Sequence, residues 1–91
     1  MVKPTGMPEV ARFFGLVVAM FYRDHDPPHF HVRFGEYEAT VRIGDGFVAG
    51  KLPSWARERV LDWLVSHRDE LHDNWMRART HRPLRRIAPL E

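Results

Sequence analysis

His29-Phe30-His31-Val32-Arg33-Phe34-Gly35-Glu36-Tyr37-Glu38-Ala39-Thr40-Val41-Arg42-Ile43 is the stretch that decides the fold. Side chains alternate across a β-strand with a period of two. Phe30, Val32 and Phe34 therefore point one way, and His29, His31 and Arg33 the other. Tyr37, Ala39, Val41 and Ile43 repeat the alternation on the far side of Gly35-Glu36, a two-residue turn with glycine at its first central position. That turn sets Phe34 opposite Tyr37, Arg33 opposite Glu38, His31 opposite Thr40 and His29 opposite Arg42. Apolar meets apolar, polar meets polar, and Arg33 finds a carboxylate. A slip of one residue would reverse every pairing, so the register is tightly specified.

Working outward, Phe13 to Tyr22 is a ten-residue apolar run rich in aromatic and β-branched residues. Such a run reads as one central strand covered on both faces, with Gly15 marking a bulge or a close backbone approach. Residues 1–12, with two prolines and a glycine, read as a loosely held arm. Pro27 and Pro28 cannot continue a central strand, so 23–28 is a stiff loop. Gly44-Asp45-Gly46 makes a second turn, and Phe47-Val48-Ala49 begins a short fourth strand.

Ser54 is a candidate N-cap for a helix whose buried stripe is Ala56, Val60, Trp63 and Leu64, with Leu61 at its edge. Ser66 with Asp69 and Glu70 repeats a start signal, which places a second helix or a kink near His67. Leu71, Trp75 and Ala78 form the buried stripe of that second part. Trp55, Trp63 and Trp75 read as core or interface. Residues 83–91 read as an extended basic tail able to join a sheet edge. The expected fold is α+β, an antiparallel sheet of about four strands with two C-terminal helices packed on one face.

Ninety-one residues and 10.8 kDa make this one domain with a thin core. The absence of cysteine removes disulfides, thiol catalysis and cysteine-ligated metal centres, and fits a reducing compartment. The apolar run is about half the length of a bilayer span, and Met1 to Gly6 carries no signal-peptide core. A cytoplasmic location without membrane contact is expected. The net charge of +2 does not by itself require a nucleic-acid partner, yet Asn74 to Leu90 holds five arginines and no acid. Arg77 and Arg79 complement a helix C-terminus. Arg82, Arg85 and Arg86 make nucleic acid a possible partner at this basic end, as candidate binding residues for its phosphates or for an acidic partner.

Chemistry concentrates in Arg23-Asp24-His25-Asp26-Pro27-Pro28-His29-Phe30-His31. Asp-His-Asp-Pro-Pro-His-Phe-His-Val, the following Phe-Gly-Glu-Tyr, Gly50-Lys51-Leu52-Pro53 and His67-Arg68-Asp69-Glu70-Leu71 with Asn74-Trp75 resemble the bacterial domain of unknown function 4160 family. The likeness runs from Pro8 to Leu90. It implies a small protein often encoded beside another small protein and sometimes labelled a toxin–antitoxin component. The family assigns no catalytic residues.

The residues themselves allow three uses. His29 and His31, at i and i+2 on one strand face, can converge on a divalent metal with His25 or Asp24 as third ligand, although Arg33 and Arg42 nearby disfavour a cation. Without metal, His25, His29 and His31 supply a general base and acid, with Arg23, Arg33 and Arg42 to stabilise charge at phosphorus, as in an RNase-like nuclease. Structurally, Asp24 or Asp26 caps the turn and the imidazoles bond to loop backbone. The expected function is an interaction protein, one component of a toxin–antitoxin-type gene pair, with a nuclease at Asp24–His31 as the alternative. A small protein encoded nearby is the expected partner, sheet edges allow a homo-oligomer, and no organic cofactor is called for.

Overall fold

The computed structural model describes residues 8–91. Five strands, β1 (Glu9–Phe13), β2 (Leu16–Ala19), β3 (His29–Phe34), β4 (Tyr37–Arg42) and β5 (Val48–Gly50), form one antiparallel sheet in sequence order. One helix follows, α1 (Ser54–Arg79). The α+β class is as expected, with one strand more and one helix fewer.

The β3–β4 register agrees with the sequence at every pair: His29–Arg42, His31–Thr40, Arg33–Glu38 and Phe34–Tyr37. Phe30, Val32, Ala39, Val41 and Ile43 are buried as their alternation requires, whereas Tyr37 at the turn is exposed.

The extra strand comes from the apolar run. Phe13 to Tyr22 is not one strand: the chain reverses at Phe14 and Gly15, both at positive φ (52° and 80°). Two successive left-handed residues suit a tight hairpin whose twist matches its strands. An aromatic residue seldom adopts that conformation, and nothing in the type of Phe14 announces it. Residues 9–12, expected as part of the arm, instead pair with β2, and Val10 and Ala11 are buried. The rest of that arm, residues 1–7, lies outside the described residues.

The two expected helices are one continuous element of 26 residues that bends at His67 (φ −127°, ψ 23°), where the second start signal falls. Ser54 is its first helical residue, preceded by Pro53, and no side chain caps the start. Trp63 carries the contact with the sheet: its ring lies 5.3 Å from that of Phe13 and 5.8 Å from that of Phe30. Trp75 is buried too, but Trp55 is not, being 42% exposed. At the bend, Arg68 Nε donates to the Ile43 carbonyl (2.9 Å), which ties the helix to the end of β4.

The tail forms no ladder, yet it is docked. The Ile87 amide donates to the Val10 carbonyl (2.8 Å) and Trp63 Nε1 to the Ala88 carbonyl (2.8 Å). Buried Asn74 donates to the Arg85 carbonyl and accepts from the Arg85 amide, both at 2.9 Å. Glu9 joins β1 to this tail, because Arg12 and Arg86 both reach its carboxylate (2.8 and 3.0 Å). The hydrogen bonds from Arg12 and then Arg86 hold the Glu9 carboxyl down at about 2.

A group whose folded pKa lies below its ordinary value of 4.5 stabilises the fold above that value and loses the effect as pH falls toward 2. Acidification from pH 6 to pH 3 is therefore expected to destabilise the native chain more than Glu9→Gln. Since the pairs are exposed, the difference is small, within about 1 kcal/mol. Urea denaturation at both pH values measures it.

Candidate functional site

The site is built where β3 leaves the double-proline loop. Strand alternation puts His29 and His31 on one face, and the loop returns Asp24 to them. Asp24 Oδ2 stands 2.9 Å from His29 Nε2 and 2.9 Å from His31 Nε2. The other carboxylate oxygen accepts from the His25 amide (2.9 Å), and His25 Nδ1 approaches it at 3.1 Å. On the far side of the His29 ring, Nδ1 is 2.7 Å from the Pro27 carbonyl oxygen. The Asp26–Pro27 peptide bond is cis.

Aromatic rings close the cluster. Phe21 meets His31 edge-on at 4.5 Å between centroids, and Trp75 lies 5.2 Å from His29. The second half of α1 also reaches the loop through Arg79, which donates to Asp26 (2.7 Å). His29 is consequently buried, with 7% of its side chain exposed, while His31 and Asp24 keep 23% and 13%. His25, in contrast, is 85% exposed. Burial opposes ionisation of Asp24. The hydrogen bond with His31, the His25 amide and the nearby charge of both strand histidines outweigh it, and the carboxyl is held below its ordinary value.

His29, His31 and Asp24 thus come together, with one ligand-capable atom from each inside 4.8 Å. The arginines turn elsewhere. Arg33 Nε faces Glu38 at 3.7 Å, and Arg42 pairs with Asp45 (2.7 Å) beneath the Phe47 ring. Arg23 donates to His81 Nε2 (3.2 Å). Among the described residues none of these guanidinium groups hydrogen-bonds to the cluster, and the charges of Arg33 and Arg42 are countered by their own carboxylates. A hollow of about 80 Å³ opens beside His31, lined by Phe21, Arg33 and Glu38. In the tail, Arg86 is paired with Glu9 and Arg82 Nε donates to Thr80 Oγ1 (3.0 Å), while the Arg85 backbone is latched to Asn74.

The sequence offered Asp24 as a third ligand only as an alternative to His25, and otherwise as a turn cap; the walls Phe21 and Trp75 were missed. So was an aromatic surface at the opposite end of the sheet. Phe34 lies 5.1 Å from Trp55 and stacks on Tyr37 at 6.4 Å, and both partners are exposed. Both hairpin turns meet there, for a Cβ on Gly15 would sit 3.1 Å from the Phe34 ring. Among the described residues no helix is long and apolar enough to cross a membrane.

A family model described as Domain of unknown function (DUF4160) matches residues 15–76. That segment contains the whole histidine cluster and Trp75, and leaves β1 and the tail outside it. Neither the curated proteins nor the solved structures contain a match.

Proposed function

The chain belongs to the domain of unknown function 4160 family, and on that premise we propose that it is a small interaction protein, one component of a toxin–antitoxin-type gene pair. The gene pair follows the family resemblance. The single observation that carries the interaction is the aromatic surface: Tyr37 and Trp55, 45% and 42% exposed, pack on the half-buried Phe34, and Phe14, 52% exposed, lies in the turn whose Gly15 approaches the Phe34 ring. Clustered exposed aromatics are unusual on a small monomer and are the side chains that anchor protein interfaces. The alternative, a His-dependent nuclease, draws on the same Asp24–His31 residues, but His29 lies under Trp75, where a polynucleotide has little access.

Co-expression with the product of the adjacent gene tests this directly. Wild-type chain is expected to co-purify with that product as a stoichiometric complex. Exchanging Tyr37 and Trp55 together for serine should weaken the complex about 30-fold or more while circular dichroism stays native, since both side chains are exposed. An unaltered complex in the double variant would overturn the docking face. RNA cleavage by the isolated chain, abolished by His31→Ala with the fold retained, would favour the nuclease.

A further inference from the structure

We propose that Asp24, His29 and His31 form a binding site for a divalent first-row transition-metal ion of the zinc class. The inference is independent of the interaction surface, which lies at the other end of the sheet. It begins with one imidazole. A carbonyl oxygen only accepts, so the contact of 2.7 Å from His29 Nδ1 to Pro27 places a proton on Nδ1. The other ring nitrogen, Nε2, stands 2.9 Å from a carboxylate oxygen in a side chain only 7% exposed, a contact that needs either a proton or a metal ion between nitrogen and oxygen.

The identity of the cation follows from the third group. His31 Nε2 converges on the same Asp24 oxygen at 2.9 Å, and all three atoms lie within 4.8 Å of one another. One proton serves one donor–acceptor pair, whereas a metal ion satisfies both nitrogens and the oxygen together. Ligand atoms held at about 2.1 Å from one tetrahedral ion stand about 3.4 Å apart, so the two nitrogens, each 2.9 Å from Asp24, need to open by only about half an ångström to admit it. Two imidazoles with one carboxylate select zinc and its first-row neighbours over calcium or magnesium, which take all-oxygen shells. The Pro27 carbonyl acts as the outer partner that fixes the tautomer of a ligating histidine. Phe21 and Trp75 supply the apolar walls that strengthen the site. The arginines that argued against a cation in the sequence are countered by Glu38 and Asp45. Three protein ligands leave a further position, within reach of water or of the exposed His25.

The test uses the full chain, stripped with chelator and confirmed folded by circular dichroism. Titration with zinc chloride in a calorimeter is expected to show one equivalent bound, with a melting temperature that rises by several degrees. Asp24→Asn and His31→Ala should each weaken zinc at least about tenfold, while His72→Ala, on the exposed face of α1, leaves it unchanged. Cobalt(II) provides a second measurement that needs no variant: the wild-type chain should develop the intense visible bands of a low-coordinate site. Absence of saturable zinc binding, binding equally tight in Asp24→Asn and His31→Ala, or the pale spectrum of aqueous cobalt would each overturn the proposal.

Discussion

Replacing Trp63 with alanine is expected to lower the unfolding free energy by about 3–5 kcal/mol. The indole is fully buried and touches both β1 and β3 through Phe13 and Phe30. Its truncation leaves a cavity between the layers of a domain too small to collapse around it. The same substitution removes the N–H bonded to Ala88, and with it one of the few bonds that dock the tail. A chain of 91 residues has a total stability of roughly 5–13 kcal/mol, so this single change consumes much of it. Urea denaturation followed by circular dichroism measures the loss. Trp63→Phe separates the two effects: it keeps most of the ring contacts and should cost about 1–2 kcal/mol, with proteolysis near Arg85 and Arg86 accelerated as the tail loosens. A loss below about 1 kcal/mol for Trp63→Ala would mean that the helix does not rest on the sheet through this residue.

Asp24→Ala, measured in the presence of chelator so that no metal contributes, is expected to cost about 2–4 kcal/mol. Three contacts of the carboxylate are lost at once: those with the His25 amide, His29 Nε2 and His31 Nε2. The buried His29 is the costly one, because water cannot reach it to replace the carboxylate. Asp24→Asn, which keeps one oxygen acceptor of the same shape, should recover part of the loss. His25→Ala should have an effect within about 0.5 kcal/mol, as befits an exposed ring. If Asp24→Ala falls within that same small range, the carboxylate does not organise the loop.

Much of the central hairpin was legible because its information is local. Fifteen residues with strict alternation around Gly35-Glu36 allow only one register, and β3 and β4 adopt it. The turn at Phe14-Gly15 was hidden inside an uninterrupted apolar run. Strands buried on both faces lose the period that would reveal where one ends and the next begins. The bend of α1 at His67 left its start signal in the sequence, but whether the chain breaks there or only bends depends on packing against Ile43 and the tail. The candidate site divides in the same way. That His29 and His31 share a face follows from period two. That Asp24 rather than His25 closes on them depends on the path of the Arg23–Pro28 loop, which no periodicity encodes. His29 is buried because Trp75, 46 positions later, reaches it around the bend. Such contacts lie beyond any local pattern.

The central claim is spatial: one strand face and one loop carboxylate meet beneath two aromatic rings. Proton NMR on the uniformly labelled chain addresses it most directly. The account predicts nuclear Overhauser contacts from the His29 ring to Trp75 and from the His31 ring to Phe21, together with backbone contacts that pair His31 with Thr40. Contacts pairing His31 with Ala39 or Val41, or imidazole rings that show no neighbour from Phe21 or Trp75, would contradict it.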